Sequence, residues 1–411
     1  MVPLPAMRLS IIEKRLLRRN NIWFPIFKRV IHAKTPFDLE DTDNEYKDLT
    51  SMYTDMFTAD SIAKPVEKGS TESLEDDIDA LNNEFNDLYS VGLNSLSGEA
   101  LEQMTKASGR FIIKSLSNNP YYNLSLEDYV FRNTPVGSHS NFESQRLLFY
   151  INDKCAVIGK NQTVWKELYL SRLKEHGYEF IRRFSGGGAV IHDLGNVNYS
   201  FLTSREEFNR DFFNKCIVKW LLSTNPGLPL SLNERGDITW DDYKVSGSAF
   251  KIAKGKAYHH GTMLINSDIK QFSGLLKPRE IPGVTWKCKS IDSVRSKIAN
   301  LPMDSNDKFI DTCIQGFKSL SKSETEVYFC DEETTMNEEI SKTMQNLMSH
   351  DWKYLSGPSF QVNVDQGNHS IKVERGMIIN SSILNTVGLT YKEFTDKSQE
   401  FLDTKTSSLF Q

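Results

Sequence analysis

The stretch Arg182-Arg183-Phe184-Ser185-Gly186-Gly187-Gly188-Ala189-Val190-Ile191-His192-Asp193-Leu194-Gly195-Asn196 decides how this chain is read, because it joins paired arginines to a bare backbone loop between two strand-like segments. Three consecutive glycines let peptide N–H groups approach an anion closely and open left-handed backbone conformations. Residues 178–184 predict a strand leading into the loop and residues 189–190 one leading out, so rigid elements hold the glycines, as they do in binding loops. A triple glycine alone is equally the composition of a flexible connection, and its weight here comes from a second constellation downstream. There Lys244-Val245-Ser246-Gly247-Ser248-Ala249 precedes Tyr258-His259-His260-Gly261-Thr262, on strands predicted over 243–253 and 257–265 with Lys254-Gly255-Lys256 as the turn.

Working outward, residues 111–113 read as a strand and residues 125–132 as a short helix carrying Leu126, Tyr129 and Val130. The apolar runs 147–151 and 155–158, separated by Asn152-Asp153-Lys154, predict a hairpin. Helical spacing over 164–176 (Trp165, Leu168, Leu170, Leu173) stops at Gly177, and a helix over 209–222 gathers Phe212, Phe213, Ile217, Trp220 and Leu221. Residues 237–240 read as a further strand. Beyond Gly357-Pro358 come strands at 360–364, 370–374 and 377–383, then a helix over 391–402. Strands and helices mix without regular alternation, so the class is α+β: mixed β-sheets with surrounding helices, plus a small C-terminal α+β domain.

Composition limits what such a fold can serve. The 411 residues are 39% hydrophobic with net charge −5, and no apolar run is long enough to span a bilayer. Five scattered cysteines fit neither a disulfide framework nor a paired-cysteine zinc site and read as free thiols. Residues 1–36 hold eight Lys or Arg and one acidic residue among Leu, Ile, Trp and Phe. This reads as a mitochondrial transit peptide, with the matrix as destination; a basic surface helix or nucleic-acid arm is the other reading of the same charges. Without it the chain carries −12, which argues against a nucleic-acid partner. Residues 37–105 read as an acidic, disordered linker, with sixteen Asp or Glu against three Lys over 37–87.

Other nucleotide and hydrolase signatures fail on spacing. The glycine run lacks the third glycine of a dinucleotide fingerprint, and the chain contains no P-loop, no Gly-x-Ser-x-Gly elbow and no His-Glu-x-x-His. The two constellations instead resemble the lipoate-protein ligases and lipoyltransferases, relatives of the biotin ligases. Asn123-Leu124-Ser125-Leu126-Glu127, Val157-Ile158-Gly159-Lys160-Asn161-Gln162, Trp165-Lys166-Glu167 and Ser290-Ile291-Asp292-Ser293-Val294-Arg295-Ser296 are similar to further family segments, in order.

That resemblance implies a catalytic domain like those of class II aminoacyl-tRNA synthetases and biotin ligases over 106–352, and an accessory domain over 353–411. It implies amide attachment of lipoyl or octanoyl groups to one lysine of lipoyl domains, those of 2-oxoacid dehydrogenase E2 subunits or the glycine cleavage H protein. The acyl-adenylate would be made from lipoate or octanoate with ATP and Mg2+. By the same carry-over Lys244 is catalytic and holds carboxylate and phosphate oxygens, while Arg183, Gly188, Ala189, Val190, Ile191, Arg235 and Thr262 meet the adenylate or ATP. Ser185, Gly186, Gly187 and His260 line the lipoyl pocket, and Asp237 of Arg235-Gly236-Asp237 holds magnesium, with Gly236 where many bacterial members carry Asn. His192, His259 and His260 do not make a metal site, since adjacent strand residues point to opposite faces; one of the His259–His260 pair faces the pocket and the other packs elsewhere. A monomer without membrane contact is expected.

The resemblance also accommodates a thioester donor, acyl-coenzyme A or an acyl carrier, or another lipoylated protein. Cys288, between Lys287 and Lys289, is the candidate nucleophile for that route. A noncatalytic scaffold is the third reading, and the intact Lys244 and glycine loop weigh against it.

Overall fold

Leu147 and Phe149 point to one side of a strand and Leu148 to the other, and each side finds its own helical layer. In a computed structural model, which describes residues 94–136, 143–278, 280–322 and 324–410, that strand is Arg146–Ile151. It lies inside a seven-stranded sheet ordered Asn94–Ser95, Glu326–Cys330, Phe111–Ser115, Arg146–Ile151, Asn196–Ser204, Lys256–Leu264, Ser246–Ala253. The first four strands pair in parallel and the remainder antiparallel. Helices Phe212–Thr224 and Asn306–Ser319 cover the Leu147 face through Phe213, Trp220, Phe309 and Phe317. Helices Gly98–Lys106, Pro120–Asn133 and Glu338–Met348 cover the Leu148 face. Helix Pro120–Asn133 begins earlier than its apolar spacing indicates, because Asn119 caps Tyr121 and Tyr122 N–H groups and Pro120 sits in the first turn. The α+β class, mixed sheets with helices around them, is what the fold shows.

Two smaller sheets carry the motifs. Cys155–Ile158 is the middle strand of one, parallel to Glu179–Arg182 and antiparallel to Val190–His192. The hairpin expected across Asn152-Asp153-Lys154 is therefore not formed. Both flanking strands are buried on both faces, and the chain steps from one sheet into the other instead of doubling back. The expected helix over 164–176 is also divided, into Val164–Glu167 and Leu170–Glu175, because Leu168 bridges Leu276 and Tyr169 N–H donates to Leu275. In the second small sheet, Asp241 and Asp242 adopt positive φ and close a two-residue hairpin that sets Lys244 opposite Thr239.

Domain boundaries differ from those read in the sequence. Residues 1–36 and most of 37–105 lie outside the described residues, but Asn94–Ser95 pairs with Glu326–Cys330 and helix Gly98–Lys106 buries Leu101, so the fold begins before residue 105. At the other end, strand Thr285–Cys288 pairs with Phe360–Val364, which continues antiparallel into His369–Glu374 and Met377–Ser381. This C-terminal sheet shares one core with the glycine-loop sheet: Ala156, Trp165, Phe180 and Ile191 pack in the same cluster as Phe360, Tyr391, Phe394 and Phe410. Trp165 meets the Tyr391 ring edge-on at 4.8 Å. Each such aromatic contributes about 1.5–3 kcal/mol of burial, so residues 353–411 are held as part of the site's own support.

Candidate active site

The glycine loop is held in shape from below by Arg183. Its guanidinium is buried and donates to Val157 O (3.2 Å), Ser185 Oγ (2.9 Å), Gly186 O (2.7 Å) and Gly188 O (2.8 Å). Burial pulls its pKa down to about 10, leaving it charged at neutral pH. The glycines differ in what they tolerate. Gly187 has φ +96° and a Cβ there would stand 2.8 Å from Arg183 Nη2, whereas a Cβ on Gly186 meets nothing within 4 Å. Gly159 makes room from the neighbouring strand, since its Cβ would lie 2.1 Å from Gly187 O.

Above the loop lies a cleft with two lobes. The first, the histidine lobe, is lined by Leu124, Tyr150, Val157, His192, Asn198 and His260 and opens toward Arg210, Arg235 and Asp237. The second, the apolar lobe, is lined by Ile191, Leu264, Ile269, Phe272, Leu276 and Ile298. Ala189, Val190, Lys244, Gly247, Thr262 and Ser293 face both, and so mark the junction.

At the junction Lys244 Nζ donates to Asp237 Oδ2 at 2.8 Å, the carboxylate being buried and the ammonium half-buried. The Lys244 backbone is fastened on both sides, its N–H to Lys297 O and its carbonyl to Ala299 N. Thr262 Oγ1 accepts the Gly247 N–H at 3.0 Å, which fixes the Lys244-to-Gly247 segment over the neighbouring strand. Arg210 donates to Arg235 O at 3.1 Å, and among the described residues neither arginine side chain has a carboxylate within ion-pair distance. The rim of the histidine lobe is therefore positively charged.

Of the residues singled out in the sequence, Arg183, Gly188, Ala189, Val190, Arg235, Asp237, Lys244, His260 and Thr262 all line the histidine lobe or its rim, and Ile191 lines the apolar lobe. Ser185, Gly186 and Gly187 line neither. Ser185, 1% exposed, has its Oγ 2.7 Å from His260 Nε2, and His260 Nδ1 is 3.0 Å from Glu127 Oε1. That order of groups is the order of a serine nucleophile, its base and its orienting acid. Here Arg183 Nε also donates to Ser185 Oγ and the hydroxyl is sealed from the cleft, so the relay orients His260 and the loop. His259 turns the other way, among Tyr199, Phe213 and Phe250, with Nε2 bonded to Ser248 Oγ at 2.9 Å. Gly261 is required by packing, because a Cβ would fall 2.3 Å from Tyr199 Oη.

Two contributors were not singled out in the sequence. Arg210 sits in the turn before helix Phe212–Thr224, where no motif marks it. Ser293 Oγ accepts from Ala189 N (2.7 Å) and Gln162 Nε2 (3.1 Å) and donates to Glu167 Oε2 (2.5 Å), tying the segment after Ser290 to the glycine loop. Burial raises the Glu167 pKa. The signal was a match of segment, with nothing to distinguish this serine from Ser290 or Ser296. Cys288 lies on Thr285–Cys288, where Trp286 and Cys288 pack toward the C-terminal core while Lys287 is exposed on the opposite face. It lines neither lobe. Among the described residues no group of three or more His, Cys, Asp or Glu is placed to hold a metal, and no helix is long and apolar enough to cross a membrane.

Comparison with known proteins places this arrangement. Residues 119–318 match the family model described as the lipoyl protein ligase A/B catalytic domain. A Saccharomyces cerevisiae protein provisionally named lipoate-protein ligase A is 46% identical over 91% of this chain and 96% of its own length. The human mitochondrial lipoyl amidotransferase LIPT1 is 30% identical, over 64% of this chain and 71% of its own. The crystal structure of Plasmodium falciparum LipL1 in complex with lipoate superposes with a TM-score of 0.50 at 25% identity, covering 73% of this chain and 97% of that one.

Proposed function

The chain belongs to the lipoate-protein ligase family, and on that premise we propose that it activates lipoate or octanoate with ATP and transfers the acyl group to one lysine of a lipoyl domain. The observation that carries this reading is the junction: Lys244 faces both lobes. An acyl chain in the histidine lobe and an adenine ring in the apolar lobe bring the carboxylate and the α-phosphate together beside its ammonium. A free carboxylate is a poor electrophile, and forming the mixed anhydride concentrates negative charge where Lys244 is held in advance by Asp237 and its fastened backbone. Arg210 and Arg235 supply further positive charge at the rim, on the path of the departing pyrophosphate. Asp237 offers one buried carboxylate beside those phosphates, which suits Mg2+, an ion that takes one or two carboxylates and completes its shell with phosphate and water oxygens. The second half-reaction needs only that a neutral lysine amine reach the acyl carbonyl in line as AMP leaves, which is a matter of positioning.

The position of Cys288, outside both lobes, favours the adenylate over an acyl-cysteine route. We further propose that residues 1–36 direct the protein to mitochondria, as the charge asymmetry and the mitochondrial human relative support, and that it acts there as a monomer on E2 lipoyl domains and the glycine cleavage H protein. The test is incubation of the protein with lipoate and Mg-ATP, with and without an unmodified lipoyl domain, in parallel with octanoyl-coenzyme A. Pyrophosphate release and bound lipoyl-AMP, detected by mass spectrometry, are expected with ATP. Transfer from octanoyl-coenzyme A alone, with no pyrophosphate released from ATP, would reject the adenylate mechanism.

A further inference from the structure

His192 is 3% exposed, lines the histidine lobe, and its Nε2 has no hydrogen-bond partner among the described residues. Which proton that nitrogen carries is fixed by a chain of amides behind it. Asn123 Nδ2 lies 2.9 Å from Ser117 O, a carbonyl that can only accept, so the Asn123 amide is oriented with its NH2 toward this group. The same NH2 lies 2.9 Å from Asn152 Oδ1, and this turns the Asn152 NH2 toward His192 Nδ1 at 3.0 Å. Nδ1 therefore accepts, and Nε2 carries the hydrogen. Burial, with Arg183 and His260 nearby, pushes the ring pKa down to about 3, so the imidazole is neutral and presents a single N–H donor.

The place of that donor along the lobe follows from the strand. Val190 and His192 lie two residues apart on Val190–His192, on one face, about 6.6 Å along the chain. Val190 stands at the junction with Lys244 and pairs with Val157, while His192 pairs with Cys155 further in. A chain held by its carboxylate at the junction thus brings its distal part to His192, where lipoate carries two ring sulfurs and octanoate only methylene and methyl groups. A buried N–H left unmet is costly, and a ring disulfide sulfur is a weak acceptor where hydrocarbon is none.

Building on the acyl assignment of this lobe, we propose that the His192 Nε2–H group reads the far end of the acyl chain and favours one ending in a sulfur-bearing ring over one ending in hydrocarbon. A several-fold preference, at most about tenfold, is the scale such a weak acceptor supports. The experiment is calorimetric binding of lipoate and octanoate to the full-length protein, with nitrogen-15 NMR of labelled histidine. In the wild type, His192 is expected as the Nε2–H tautomer, lipoate is expected to shift its Nε2 resonance more than octanoate does, and lipoate is expected to bind more tightly. In His192→Phe the lipoate-to-octanoate ratio is expected to fall toward one, and His192→Gln, which keeps an N–H donor, to restore part of it. Equal affinity of the two acids for the wild type, an Nδ1–H tautomer, or an unchanged ratio in His192→Phe would overturn the inference while leaving the acyl lobe in place. If neither acid binds the wild type, the acyl assignment itself fails, and the inference with it.

Discussion

Arg182 and Arg183 form one cationic region of this molecule, and Lys244, Arg210 and Arg235 form another, with opposite economies of hydrogen bonding. Arg182 is buried and donates to Gly159 O, Lys160 O, Gln162 O, Trp352 O and Lys353 O, while Arg183 is occupied by the glycine loop. Among the described residues Lys244 makes a single side-chain bond, to Asp237, and the two rim arginines are exposed and have no carboxylate within ion-pair distance. Cations whose donors are consumed by backbone carbonyls hold the loop. Those with donors to spare face the cleft, where, under the proposed function, an anionic substrate would complete them.

The sharpest way to break this contrast is to remove one member of each region. Lys244→Ala is expected to slow acyl transfer by about a hundredfold or more, the roughly 3 kcal/mol that one preorganised charge contributes, with a smaller fall in melting temperature from the Asp237 carboxylate it leaves unpaired. Near-normal turnover with every acyl donor would remove Lys244 from the chemistry. Arg182→Met reverses the pattern. It leaves the carbonyls of Lys160, Gln162 and Lys353 without their donor, costs about 3 kcal/mol, and is expected to lower the melting temperature by roughly 5–10 °C. A variant that melts like the wild type but has lost turnover would place Arg182 with the wrong region.

Acid sharpens the contrast further, since His192 and His259 are both buried with pKa values pushed down to about 3 from an ordinary 6.5. The unfolded chain binds the extra protons between those values, so stability falls as pH drops from about 6.5 toward 3, by about 2 kcal/mol per ring at pH 5. Thermal melts at pH 7 and 5 should show that fall, and His192→Phe should reduce it; an identical pH slope in that variant would contradict the buried, neutral ring. The smallest effect expected is Gly187→Ala, about 1–2 kcal/mol from positive φ and the Arg183 contact, with Gly186→Ala close to neutral. Equal melting temperatures for the two would mean that the loop is not held as described.

What the sequence made legible follows the same division. The glycine loop, Lys244 and Asp237 could be found because their residue types are tied to local turns and neighbouring motif positions. The Lys254-Gly255 turn was equally readable, both residues adopting the positive φ that their position requires. What escaped depends on distant partners. The 164–176 helix breaks at Leu168 and Tyr169 because of Leu275 and Leu276, a hundred residues away. Residues 147–158 have a hairpin's composition, but their strands are claimed by different sheets. Arg210 has no motif around it, and Ser293 is one serine among three until the fold brings Glu167 and Ala189 to it.

The core shared by the glycine-loop sheet and the last fifty residues sets an order of events during synthesis. Cys155–Ile158 and the loop leave the ribosome long before Phe394 and Phe410, the rings that complete their packing. Contacts separated by some 250 residues close late. Until they do, the nascent chain has Lys244 and the Arg183 contacts of the loop but lacks the rings that complete the core behind the glycine-loop sheet, so the cleft is expected to settle only after this C-terminal stretch has been made.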